Sequence, residues 1–164
     1  MQSRSDDGPV PTAAVAKIAL RDRIRTTRHR LSLVEIGEAA RGLAEVVMAR
    51  PEVRRAATVA AYVSIGSEPG TGVLLDALTA AGKRVILPVV LPDLDLDWGT
   101  WRGSTELVPA RMGLLEPVDR LGLDAIATAD LVLAPGLAVS ATGDRLGLGG
   151  GCYDRALGRV PVGT

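Results

Sequence analysis

The chain has no phenylalanine, and only two tryptophans and two tyrosines occur among its 164 residues, so a core has to be filled by Val, Leu, Ile and Ala. It has a single cysteine, Cys152, which excludes an internal disulfide framework and fits a reducing compartment. Net charge is missing as well: 19 basic side chains face 19 acidic ones, so nothing in the balance calls for a nucleic acid or an anionic membrane surface. No apolar run approaches the roughly 18 residues of a membrane span, and no signal-peptide stretch opens the chain. These absences describe a cytoplasmic protein of one-domain length that handles small molecules, expected as a monomer without nucleic-acid or membrane partners.

Residues 1–11 have no periodicity and read as a disordered tail. From Thr12 onward a helical pattern begins. Ala13, Ala16, Leu20, Ile24, Thr27 and Leu31 recur at spacings of three and four and predict a buried stripe, while Lys17, Arg21 and Arg28 follow the same period on a cationic edge beside it. Ser32 with Glu35 predicts a capping box opening a second helix, which stops before Pro51. Strands are predicted within 58–64, within 83–91, near 94–98 and within 130–134; a helix around 73–81 is closed by Gly82. Trp98 and Trp101 read as partly buried loop residues, and His29 as a surface residue. Strands alternating with helices predict an α/β fold: three layers, α/β/α, around a mainly parallel central sheet, with ligand at the carboxyl ends of its strands.

The chemistry concentrates in Arg145-Leu-Gly-Leu-Gly-Gly-Gly-Cys-Tyr-Asp154, where four glycines fall within five residues and a helix follows. Glycines permit positive φ and close backbone approach, so successive amides can converge on an anion, and a helix start adds further free N–H groups. Arg145 can clamp phosphate oxygens through two parallel hydrogen bonds. Asp154 offers the hard oxygen that Mg²⁺ takes alongside substrate phosphates. The run matches neither the dinucleotide pattern G-x-G-x-x-G with a distal acid nor the G-x-x-x-x-G-K-[ST] loop, and a plain surface turn is the competing reading. Residues alone carry the chain as far as a phosphate-binding α/β domain.

The segments Leu133–Val139 (LAPGLAV) and Gly143–Leu157 (GDRLGLGGGCYDRAL) strongly resemble the 5-formyltetrahydrofolate cyclo-ligase family, also called methenyltetrahydrofolate synthetases. Lys17 and Arg21 stand as the family's Lys-x-x-x-Arg. Tyr62–Thr71 resembles its segment with a glutamate before a threonine, and Gly113–Pro117 its Gly-x-x-Glu-Pro signature. The resemblance implies ATP-dependent cyclisation of 5-formyltetrahydrofolate to 5,10-methenyltetrahydrofolate, with release of ADP and phosphate. It implies that Lys17, Arg21, Arg145, Leu146, Gly147, Leu148, Gly149, Gly150, Gly151, Cys152 and Tyr153 bind ATP, with Arg145 catalytic. By the same resemblance Val63, Glu68, Leu148, Gly149, Gly150, Gly151 and Cys152 contact the folate, Glu68 as an acceptor for pterin N–H groups, and Asp154 holds Mg²⁺. Cys152 stands where relatives usually carry tyrosine, and Met112 where an aromatic residue commonly precedes Gly113. Relatives continue with a late strand and a second acidic residue near the metal, so the expected domain is residues 12–164 without those elements. A non-catalytic nucleotide or folate binder and a sugar-phosphate enzyme of similar architecture are the other classes these residues admit.

Overall fold

A computed structural model describes residues 12–164; the segment read as a tail lies outside them. The order of elements is α1 (Ala13–Arg28), α2 (Leu33–Ala49), α3 (Pro51–Arg55), β1 (Thr58–Ala60), α4 (Gly72–Ala80), β2 (Arg84–Val90), β3 (Leu96–Thr100), β4 (Leu107–Pro109), β5 (Leu115–Pro117), β6 (Leu131–Val132), β7 (Ala138–Val139), β8 (Arg145–Leu146) and α5 (Cys152–Leu157). A 3₁₀ segment, Leu123–Thr128, precedes β6. The Ser32–Glu35 capping box forms as its spacing requires, each residue's side chain bonding the other's backbone amide. Pro51 does not merely stop α2: it occupies the first turn of α3, where its missing N–H costs nothing.

The central sheet runs β3-β2-β1-β6, with β1 parallel to both β2 and β6, and β3 antiparallel on the edge. Alternation along the strands sorts the core onto two faces. Val59, Ala61, Val85 and Leu87 turn to one side, where α4 contributes Leu74, Leu75 and Leu78 and α2 contributes Ala44. Ala60, Ile86 and Leu96 turn to the other, against Ile126 of the 3₁₀ segment and Ala156 of α5. The predicted three layers are present, the second of them built from short elements. Asp130 fastens β6 to the start of β1, its Oδ2 accepting the amides of Ala57 and Thr58, each at 2.8 Å.

Two expectations change. Trp98 lies on β3 and is fully buried, and Trp101 is 6 % exposed, so both are core residues on opposite faces of the sheet. In a chain without phenylalanine they supply the large volumes that interior packing demands. The stripe on α1 is not buried: Leu20 and Ile24 are half-covered, while Ala13, Ala16, Thr27 and Leu31 are exposed. The side turned to the protein is the border between stripe and cationic edge: Arg21 and Arg28 are half-buried like Leu20 and Ile24, while Lys17 is exposed.

Gly99 is the position at which glycine is required for packing. A Cβ there would lie 2.6 Å from both the carbonyl oxygen of Asp119 and the Cβ of Pro117. The β4–β5 hairpin can therefore lie flat on β3, and its turn is made by Met112 and Gly113, both at positive φ.

Candidate active site

A cavity of about 660 Å³ opens at the carboxyl ends of β1, β2 and β6, in the size range of small-molecule sites. Its walls include Tyr62 and Val63 beyond β1, Val90 at the end of β2, and Pro135 and Gly136 beyond β6. The structure brings every site residue expected from the sequence to this one cavity: Lys17, Arg21, Val63, Glu68 and all of Arg145–Asp154.

The glycine loop is held at both ends. Before it, the β7–β8 hairpin is closed by Asp144, whose carboxylate accepts from Ser140 and Thr142 hydroxyls at 3.2 and 2.7 Å. Those hydroxyls, the Thr142 bond first, hold its carboxyl below the ordinary range. On β8, Arg145 donates from Nη1 to the Pro135 carbonyl at 2.9 Å and from Nη2 to Asp154 Oδ1 at 2.9 Å, with its guanidinium 5.5 Å from the centre of the Tyr153 ring. Between these anchors the chain takes positive φ at Gly149 (107°) and Gly151 (71°), which a side-chain-bearing residue adopts only under strain. Among the described residues, none of the amides of Gly147–Gly151 has an intramolecular acceptor. Five consecutive free N–H groups lining a cavity are an anion nest in the making.

α1 supplies the opposite rim. Arg21 donates from Nε to the Gly147 carbonyl at 2.9 Å, and its guanidinium lies where a Cβ on Gly149 would be 3.6 Å away. Lys17 stands one turn before it, and Arg25 one turn after. Arg25 also lines the cavity, and sequence reasoning passed over it although it repeats the same spacing of four.

The far wall is apolar and carries two carboxylates. Glu68 sits in a turn closed by reciprocal bonds, Ser64 N–H to Thr71 Oγ1 at 2.9 Å and Thr71 N–H to Ser64 Oγ at 3.0 Å. Its Oε2 accepts the Ile65 amide at 2.9 Å. Glu116, in the Gly113–Pro117 signature, is nearly buried and accepts the Val90 amide at 2.9 Å. Burial raises the Tyr62 phenol, with the Glu68 charge adding to it and Arg28 opposing. Burial pushes the Tyr153 phenol up far more, and its hydroxyl has no hydrogen-bond partner among the described residues. Tyr153 therefore stays protonated and can donate.

For a metal, the donor set is one carboxylate. Asp154 is largely exposed and engages Arg145 through one oxygen, leaving the other free, and no cluster of three or more potential ligands occurs among the described residues. This fits Mg²⁺ carried on substrate phosphates, which uses one or two protein oxygens, and does not fit a dedicated all-protein cage. No helix among the described residues is long and apolar enough to cross a membrane.

Comparisons with known proteins point one way. The sequence model of the 5-formyltetrahydrofolate cyclo-ligase family matches residues 13–163. A 5-formyltetrahydrofolate cyclo-ligase of Mycolicibacterium smegmatis is 50 % identical over 106 residues, 61 % of this chain and 54 % of that protein. The Escherichia coli K12 protein of the same name is 36 % identical over 137 residues, 82 % of this chain and 75 % of its own length. The NMR structure of Aquifex aeolicus 5,10-methenyltetrahydrofolate synthetase superposes with a TM-score of 0.73 at 29 % identity, covering 88 % of this chain and 73 % of that one. The matched segment thus spans about half of the mycobacterial relative's length.

Proposed function

The chain belongs to the 5-formyltetrahydrofolate cyclo-ligase family, and we propose that it cyclises 5-formyltetrahydrofolate to 5,10-methenyltetrahydrofolate at the expense of ATP. One observation carries the reading: a single cavity joins a loop of free amides flanked by Lys17, Arg21 and Arg145 to an apolar wall bearing carboxylates. The first half suits a polyphosphate; the second suits a flat heterocycle with N–H donors.

The formyl oxygen on N5 belongs to an amide and leaves poorly. It attacks the γ-phosphorus of ATP, the bond to ADP breaks, and the formyl carbon becomes electrophilic. The neighbouring N10 then attacks that carbon, the carbon–oxygen bond breaks with loss of phosphate, and the N10 proton departs. Phosphoryl transfer asks mainly for alignment and charge neutralisation. The loop amides and Arg145 receive the charge that develops on the γ-phosphate, Lys17 and Arg21 hold the remaining phosphates, and Tyr153 packs beneath the Arg145 guanidinium. Val63 and Glu68 face the folate. Asp154 would hold Mg²⁺, which would supply further neutralisation of phosphate charge.

The test is direct. Purified protein mixed with 5-formyltetrahydrofolate is expected to develop the methenyl absorption only when MgATP is present, with ADP formed in equal amount. ADP formation without the methenyl product, or conversion without ATP, refutes the assignment.

A further inference from the structure

Glu116 lines the cavity without a part in handling ATP. It is 5 % exposed, in the middle of β5. Gly99 allows that strand to lie close on β3, which brings Glu116 beside the end of β2, where its Oε1 takes the Val90 amide. No lysine or arginine pairs with it among the described residues, and Pro88, Val90, Leu114 and Leu115 are its neighbours in the cavity wall. A carboxylate offers about four acceptor positions, and one amide uses one of them. Its other oxygen has no hydrogen-bond partner among the described residues yet is not sealed off, so within the cavity wall it is an acceptor open to a donor on whatever fills the cavity.

Glu68 differs. It is on a half-exposed turn, and its Oε2 already stabilises that turn through the Ile65 amide. A water-accessible acceptor discriminates weakly, because water replaces a lost ligand donor; a buried one discriminates strongly, because a ligand lacking the donor leaves it unsatisfied. A flat ring entering an apolar slot with a buried carboxylate is selected for an edge bearing two adjacent N–H donors. The pterin presents that edge at its 2-amino group and N3. Its N5 lies in the other ring, on the side turned away from such a contact.

We propose that Glu116 is the specificity-determining acceptor for the 2-amino/N3–H edge of the reduced folate, with Glu68 in a supporting position. The assignment rests on the cyclo-ligase function proposed above.

Calorimetric binding without ATP tests it, using 5-formyltetrahydrofolate and its analogue with a methyl group in place of the 2-amino group. Wild type is expected to bind the parent about tenfold or more tightly than the analogue. Glu116→Gln keeps an oxygen for the Val90 amide and sets an NH₂ against the ligand's donors. It is expected to lose affinity for the parent by about tenfold or more and to lose clearly less for the analogue, which keeps N3–H but lacks the 2-amino donor. MgATP affinity and melting temperature are expected to stay close to wild type. Equal wild-type affinity for parent and analogue overturns the proposal without recourse to any variant. So does a Glu116→Gln penalty of the same size for both ligands, which would mark a structural role. Folded wild type that binds neither ligand removes the cyclo-ligase reading as well; normal turnover with equal affinity for both ligands removes only Glu116.

Discussion

Two helices bring side chains to the cavity, and they are held in opposite ways. The six-residue α5 is fixed in the core: Ala156 is fully buried, Arg155 donates to the Leu94 carbonyl at 2.7 Å, and Arg159, just beyond the helix, forms a two-armed pair with Asp95. The sixteen-residue α1 has no buried residue, and its tie to the site is the Arg21–Gly147 hydrogen bond. The longer helix is the less anchored. The floor of the proposed phosphate site is therefore fixed by core packing and ion pairing, while its α1 rim rests on fewer contacts. Cations from the floor should govern rate; cations from the rim should govern affinity.

Replacing Arg145 should give the largest effect. It is held in place by Pro135 and Asp154, and in the mechanism proposed above it receives the charge developing on the γ-phosphate, so Arg145→Ala should reduce turnover by about 10²- to 10³-fold. Arg145→Lys should also be impaired, since a point charge cannot reproduce the planar fork. Steady-state kinetics beside a thermal melt checks this: unchanged turnover in a folded variant would remove the floor's claim on rate.

Arg21→Ala comes next in size. Loss of one charge-assisted contact should raise the KM for ATP by about tenfold, with kcat changed only a few-fold and melting temperature little altered. A collapse of kcat at unchanged KM would mean that α1 is as fixed as α5, and the contrast between the helices would dissolve.

The same contrast explains what could be read before folding. The glycine loop, the capping box and the cations at spacings of four are local signals, and each forms where its spacing puts it. The placement of α1 is not local. Its apolar stripe and its cationic edge both have helical period, and periodicity cannot say that a helix standing on a polar rim will half-cover residues of both rows and bury neither. The strand near 94–98 was legible, but the full burial of Trp98 was obscured by the flanking Asp95 and Asp97, of which Asp95 is satisfied by Arg159 and Asp97 by the amides of Trp98 and Gly122. The antiparallel β3 did have a signal, because the link from Val90 to Leu96 is too short for a parallel crossover. Glu116 had only its signature motif, since its burial depends on β5 lying against β3 across a gap that Gly99 leaves.

The smallest effect concerns the anchor of α5 and its dependence on pH. Arg159, through its hydrogen bonds first and the Leu96 amide second, lowers the Asp95 carboxyl from its ordinary 3.8 to about 2. Between those values the unfolded chain binds the proton that the folded chain refuses, so stability from this pair is present above about pH 4 and is lost as pH falls toward 2. Asp95→Asn should therefore melt several degrees below wild type at neutral pH, and the gap should close as both are titrated to about pH 2. Wild type will still lose stability on acidification, because Asp119, Asp130 and Asp144 are lowered by their own hydrogen bonds. The difference between variant and wild type isolates Asp95. No carboxylate pairs with Arg21 among the described residues, so the small gap between Arg21→Ala and wild type should stay flat over the same range. Thermal melts at steps from pH 7 to pH 2 decide it. An Asp95→Asn gap that persists unchanged at the acid end would mean that the pair contributes packing and not charge, and that α5 is held by Ala156 and its apolar neighbours alone.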